Sequence, residues 1–251
     1  MSSLAVATVA WIAMLASGLT GLALTRVLPE AHTSDRSRDI LGGVVGMLTL
    51  LLALVLGLLI WTAYGVTQTQ KSELQLLTAR ALEFNLEMKQ YGPQAQKARE
   101  LLRTEMVWAH EQFWGEERTK TDAVDVTSAN MATMDAFLTG LTPENDMQKK
   151  VLGAAAQHYA AIGETRLLMS LQLVDPVSWP LIMIVIAWSC LLFTGYGVLS
   201  RPNATTIATL GLGGAAVASA MFLILELSQP YTSSIQLSPT LIEQAILELG
   251  Q

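Results

Sequence analysis

Between Asp39 and Lys71 the chain carries no side chain that is charged at neutral pH. The apolar part of this stretch, DILGGVVGMLTLLLALVLGLLIWTAY, runs from Asp39 to Tyr64. A helix rises about 1.5 Å per residue, so about 20 apolar residues cross a hydrocarbon core of roughly 30 Å. Lipid offers backbone amides and carbonyls no partners, so the segment must satisfy them internally, as a transmembrane helix does. The rest of the fold has to be arranged around that helix. Its small residues Gly42, Gly46, Thr49, Ala53 and Gly57 recur in steps of four and three, which sets them along one face. Such a stripe lets another backbone approach closely, the way helices associate in lipid. Two readings follow: a packing seam inside one subunit, or a face repeated around an oligomer axis and lining a passage.

Composition agrees with a membrane protein. The 251 residues are 51% hydrophobic and 14% charged, with mean hydropathy +0.41, whereas soluble domains carry about 25% charged residues. A net charge of −6 and a pI near 5.1 exclude a nucleic-acid partner, which needs clustered Lys and Arg. The single cysteine, Cys190, lies in an apolar run and cannot form an intramolecular disulfide. His110-Glu111 opens like a zinc-protease helix, but Trp114 stands where the second histidine would be. There is no Gly-rich phosphate loop and no nucleophile elbow, so no cofactor, metal site or enzymatic activity is expected.

Taken in order, the chain is expected to be all-α, with four transmembrane helices and a helical bundle between the second and third. The divisions fall at 1–66 (spans one and two), 67–176 (a water-exposed bundle), 177–227 (spans three and four) and 228–251 (a tail with a short amphipathic helix). The first span is Leu4 to Thr25, expected to stay uncleaved because no Lys or Arg precedes Arg26. Ser17 and Gly21 offer it a small-residue face. In the loop that follows, Pro29 stops the helix, and Thr33, Ser34 and Asp35 can cap the next one or form a solvated turn. Arg36, Arg38 and Asp39 stand at the mouth of the central helix and become rings of charge if that helix is repeated around an axis.

Beyond Gln68 apolar residues recur at helical spacing. Leu74, Leu77, Ala81, Phe84, Met88 and Tyr91 make one stripe, on a helix continuing from the central span. Ala95, Ala98, Leu102, Met106, Ala109 and Phe113 make the next, after Pro93 in its first turn. Residues 115–126 read as a charged loop, and a short helix over 128–141 carries Met131, Met134, Phe137 and Leu138. Thr142-Pro143 reads as a cap followed by Pro at the first position of the last bundle helix. That helix runs to about Val174, with Leu152, Ala155, Tyr159, Ile162, Met169 and Leu173 on one side. Arg166 interrupts its stripe, and the reading taken is that it snorkels to the edge, the alternative being an acid across the bundle. Glu87 and Glu105 read as solvated helix faces. Together the stripes describe a bundle core.

Asp175-Pro176 ends the bundle. The third span begins at Trp179-Pro180, and ATTIATLGLGGAAVASAMFLILEL makes the fourth. In the fourth, Gly211, Ala215 and Ser219 share one spacing and Gly214 and Ala218 another, giving two tight faces. Glu226 closes it. An acid at that depth is costly unless paired or hydrated, so it is a gate candidate or a structural acid. In the tail, Leu241, Ala245 and Leu249 can lie on the bilayer surface or on the bundle.

HTSDRSRDI before the central span, LALVLGLLI within it, YGPQAQKARELLR in the bundle and FLILELSQPY at the fourth span resemble the bestrophin-like family. The order and spacing of these motifs agree over nearly the whole chain. The sequence departs at Ser228, where the family usually has Asp, and at Tyr231, where Phe is common. The first change removes a second acid near Glu226. The resemblance implies a ring-shaped homo-oligomer whose second span lines a path for small ions. The alternative is a membrane-anchored helical-bundle sensor or scaffold without transport. The expected location is a cell membrane, crossed several times, and specifically a bacterial inner membrane. Arg26, Arg36, Arg38 and Arg201 lie in the two short loops, so the positive-inside rule puts these in the cytoplasm and the bundle outside. The bestrophin analogy implies the reverse, and the charge count is followed here.

Overall fold

The computed structural model of the chain describes residues 2–27, 35–115, 123–172, 179–228 and 237–250. The caps anticipated at Thr33 and Ser34, the breaks at Pro29 and Asp175-Pro176, and Leu173 and Tyr231 lie outside these residues. Among the described residues there are eight α-helices and no strand. By its contacts the chain divides into two compact units: 1–66 with 177–228, and 67–176 with 229–251.

The first unit holds α1 (Ser3–Val27), the first part of α2 (Asp35–Tyr91), α6 (Trp179–Leu199) and α7 (Ala204–Leu227). Each of these helices is long and apolar enough to cross a membrane. α1 packs on both α6 and α7. It meets α6 through glycines: a Cβ added at Gly21 would strike the carbonyl oxygen of Thr194, and one at Gly197 the carbonyl oxygen of Gly18. The two backbones are therefore in direct contact, which is how helices gain dispersion energy where lipid removes the hydrophobic drive. On α7, Gly214 and Ala218 face α1, with Gly214 against Trp11, whose Nε1 donates to the Gly211 carbonyl at 2.9 Å. Ala215 and Ser219 are exposed, so one of the two expected tight faces is covered within the chain.

The second unit holds the rest of α2, then α3 (Gln96–Trp114), α4 (Ala123–Gly140), α5 (Asp146–Gln172) and α8 (Thr240–Leu249). All six apolar positions expected on the bundle part of α2 are buried, as are all six from Ala95 to Phe113. α8 packs on α3 and buries Ile242, Ala245 and Leu249 in the bundle core, which decides between the two surfaces open to the tail.

Helix ends account for two differences from expectation. α5 starts at Asp146, not at Pro143, because Asn145 supplies the cap: its Oδ1 accepts from the Gln148 amide at 2.8 Å. The Gln148 side chain in turn accepts from the Glu144 amide at 2.7 Å and donates to the Tyr91 carbonyl at 3.0 Å. One residue thus satisfies orphan groups at the start of α5 and the end of α2. α2 itself ends where Gly92 takes φ +121°, a conformation L side chains rarely adopt, followed by Pro93. α4 begins at Ala123 rather than 128, and Thr127 in its first turns is already buried.

Candidate functional site

The spanning part of α2 presents three different faces. Val45, Leu52 and Ala63 are buried, and Leu48 and Leu59 pack beside them against residues such as Val185, Leu192 and Ile182 of α6. At about 100° per residue, the stripe from Gly42 to Gly57 lies roughly a quarter turn round from that packed face. Thr49 marks the boundary, its hydroxyl 2.9 Å from the Tyr196 hydroxyl of α6. Gly46, Ala53 and Gly57 are exposed, and a Cβ added at Gly42, Gly46 or Gly57 would meet nothing within 4 Å. Within the chain the stripe is therefore no packing seam. The glycines at which backbone meets backbone in this unit, Gly18, Gly21 and Gly197, are on α1 and α6. Further round α2, Met47, Leu50, Leu54, Leu58 and Trp61 are also exposed.

At the mouth of the helix, Arg38 Nη2 donates to the Leu199 carbonyl at 2.9 Å, tying the start of α2 to the end of α6. Arg36 and Asp39 are exposed and join no ion pair among the described residues. The side chain of Asp35 lies outside the description. Glu226, in the last turn of α7, is only 3% exposed, so its carboxylate does not sit in open solvent within the chain. The Ser228 hydroxyl beside it is committed to the Ile224 carbonyl at 2.7 Å. The structure thus brings Arg38 to α6 and buries Glu226 in α7. It leaves Arg36, Asp39 and most of the small-residue stripe facing away from the chain.

The bundle holds an ionic site that contradicts two expectations. Arg166 does not snorkel and Glu105 is not solvated: they are 3% and 6% exposed, and Arg166 Nη1 donates to Glu105 Oε2 at 3.0 Å. The Tyr159 hydroxyl lies 2.9 and 3.0 Å from the two Glu105 oxygens and donates to the carboxylate. The guanidinium also lies over the Trp108 ring, 5.5 Å from its centroid. Burial pushes the Glu105 carboxyl above its ordinary range, while Arg166 and the Tyr159 hydroxyl pull it part of the way back. Burial likewise lowers Arg166, offset by Glu105, and raises the Tyr159 phenol. Glu87 is not a free solvated acid either, since its Oε1 lies 3.3 Å from His158 Nε2. Partial burial raises its carboxyl, with His158 acting in the opposite direction.

Helical spacing carried a signal for the buried pair. Arg166 falls in the middle of the Ala155–Met169 stripe, and Glu105 at the edge of the Leu102–Ala109 stripe. Two opposite charges set in two apolar faces are better neutralised by each other than by separate excursions to water.

A family model described as Bestrophin-like domain matches residues 10–242. No curated protein and no solved structure matches the chain.

Proposed function

Because the chain belongs to the bestrophin-like family, we propose that it is a homo-oligomeric ion channel in which α2 meets its neighbours and lines the path. The observation that carries this reading is the uncovered face of α2. Its span has the highest mean hydropathy of the four, 2.7 against 1.7 to 2.1, yet only 11% of it is buried within the chain, against 28–33% for the others. Large apolar side chains can face lipid at no cost. Gly42, Gly46 and Gly57 expose backbone that gains little from lipid and much from a second backbone packed closely on it. In a ring, the uncharged stripe forms an apolar constriction of the kind that gates by wetting and dewetting, and Arg36, Arg38 and Asp39 become rings of charge at its mouth. Glu226, buried in α7, is the gate candidate behind it.

The test uses the full chain purified in mild detergent. The native protein runs as a closed assembly of several subunits and conducts ions in liposomes. Gly46→Leu and Gly57→Leu insert normally but run as monomers without flux. A native monomer without flux sinks the channel and leaves a membrane-anchored bundle that senses or scaffolds.

The same reading takes a cell membrane as the location and, from the arginines in the short loops, an extracytoplasmic bundle. Lys150→Cys in a Cys190→Ala background should react with an impermeant thiol reagent on intact cells. Labelling that appears only after lysis reverses the topology.

A further inference from the structure

At one end of the spanning unit, the last turn of α1, the first turn of α2, the end of α6 and the turn into α7 border an open cavity of about 250 Å³. Arg38 and Arg201 line it, and among the described residues no acidic residue does. Neither arginine is held in an ion pair among the described residues. Two like charges facing one space repel each other, and an anion between them removes that cost.

Arg38 is already aimed. One of its five N–H groups is spent on the Leu199 carbonyl at 2.9 Å, which fixes the fork and leaves the others to bind. As a cap on the end of α6 this arginine would be accounted for without any ligand. Capping accounts neither for Arg201 nor for the space between the two. Ser37 and Ser200 also border the cavity. The Thr25 hydroxyl, also at its edge, donates to the Leu22 carbonyl at 2.7 Å and offers an incoming group only lone pairs. Leu41 and Val198 supply apolar wall on one side, and a low-dielectric wall strengthens attraction between opposite charges near it.

Size and level narrow the ligand. Sites for drug-sized molecules occupy about 300–1,000 Å³, so a smaller cavity suits a compact polyoxygen group. Guanidinium forks match such oxygens with paired hydrogen bonds, and phosphate is the usual case. The cavity also lies where the spanning helices end, the level of lipid headgroups.

We infer that this cavity binds a phosphate group, presented by an anionic lipid headgroup or by free phosphate. The site lies within one subunit and requires neither assembly nor conductance.

The test titrates the detergent-solubilised full chain with inorganic phosphate and, separately, with mixed micelles of phosphatidylglycerol, following the thermal unfolding midpoint. Matched chloride and phosphatidylcholine micelles are the controls. A saturable rise with inorganic phosphate assigns free phosphate, and a rise confined to phosphatidylglycerol assigns the headgroup. Arg201→Gln, at an exposed position, should weaken the apparent affinity about tenfold or more, the loss expected for a charge-assisted contact. Arg38→Gln should do the same, and if it fails to fold for want of its tie to α6, Arg201→Gln carries the test alone. Arg36→Gln, outside the cavity lining, should leave binding unchanged. No shift beyond the controls, or an equal loss in Arg36→Gln, overturns the site.

Discussion

The two parts of α2 belong to one uninterrupted helix and obey opposite rules of burial. From Thr67 to Tyr91 the apolar stripe is inside: Leu74, Leu77, Ala81, Phe84 and Met88 are buried, while Lys71, Lys89 and Gln90 are exposed. Between Ile40 and Val66 it is large apolar side chains that stand exposed, with Leu50 at 74%, Leu54 at 70% and Trp61 at 71%. Only the solvent assumed for each part reconciles them. Water expels apolar surface at about 25 cal/mol per Å², whereas lipid tails are as apolar as leucine and expel nothing. What holds the spanning unit together is close approach, as at Gly21 and Gly197. What holds the bundle together is burial, and burial is what makes its Arg166–Glu105 pair expensive to break.

The largest effect should come from that pair. Arg166→Met leaves Glu105 buried without its cation and should cost the bundle about 3–5 kcal/mol at neutral pH. The double variant Arg166→Met with Glu105→Gln should recover most of it. Denaturant unfolding of the full chain in detergent measures both. If the single variant matches the native midpoint, the pair is not a buried one.

Next comes the glycine contrast within the spanning unit. Gly197→Leu drives side-chain atoms into the α1 backbone and should destabilise the subunit by about 1–3 kcal/mol or more. Gly46→Leu meets open space and should leave the subunit itself within about 0.5 kcal/mol, whatever it does to assembly. Equal losses in detergent monomers of the two variants would erase the distinction between seam and free face.

The smallest effect is a pH slope. Glu105 titrates above its ordinary value of 4.5 in the folded bundle, so between those two values the folded state binds more protons than the unfolded one. Its contribution is complete below the unfolded value and is lost as pH rises through the folded one. Bundle stability should therefore fall across that window in the native chain, and Glu105→Gln should remove this component. The deficit of Arg166→Met should shrink as pH drops, because Glu105 can then take a proton in place of its lost partner. A native slope of opposite sign that persists in Glu105→Gln would assign it to other groups.

Some of this was legible from residue order alone. The stripe from Ala95 to Phe113 reads directly because helical spacing is local: residues three and four apart share a face whatever the rest of the chain does. Glu105 and Arg166 were misread for the converse reason. They are 61 residues apart, and nothing local says that their two helices turn these faces toward each other. The cap at Asn145 was missed because Thr142-Pro143 offers an equally good local start, and the choice fell to Gln148, which also reaches the end of α2.

By itself the sequence determined the helical class, the four spans and the apolar faces of the bundle, because hydropathy and helical period are summed along a segment and need no partner. Which glycines are seams and which are free was decided only in the tertiary structure. Gly21 and Gly46 look alike in a small-residue stripe, and the difference is whether a second backbone lies opposite. Likewise the gathering of Arg38 and Arg201 around one cavity follows from how four helix ends come together, a relation among segments more than 160 residues apart that no local pattern encodes.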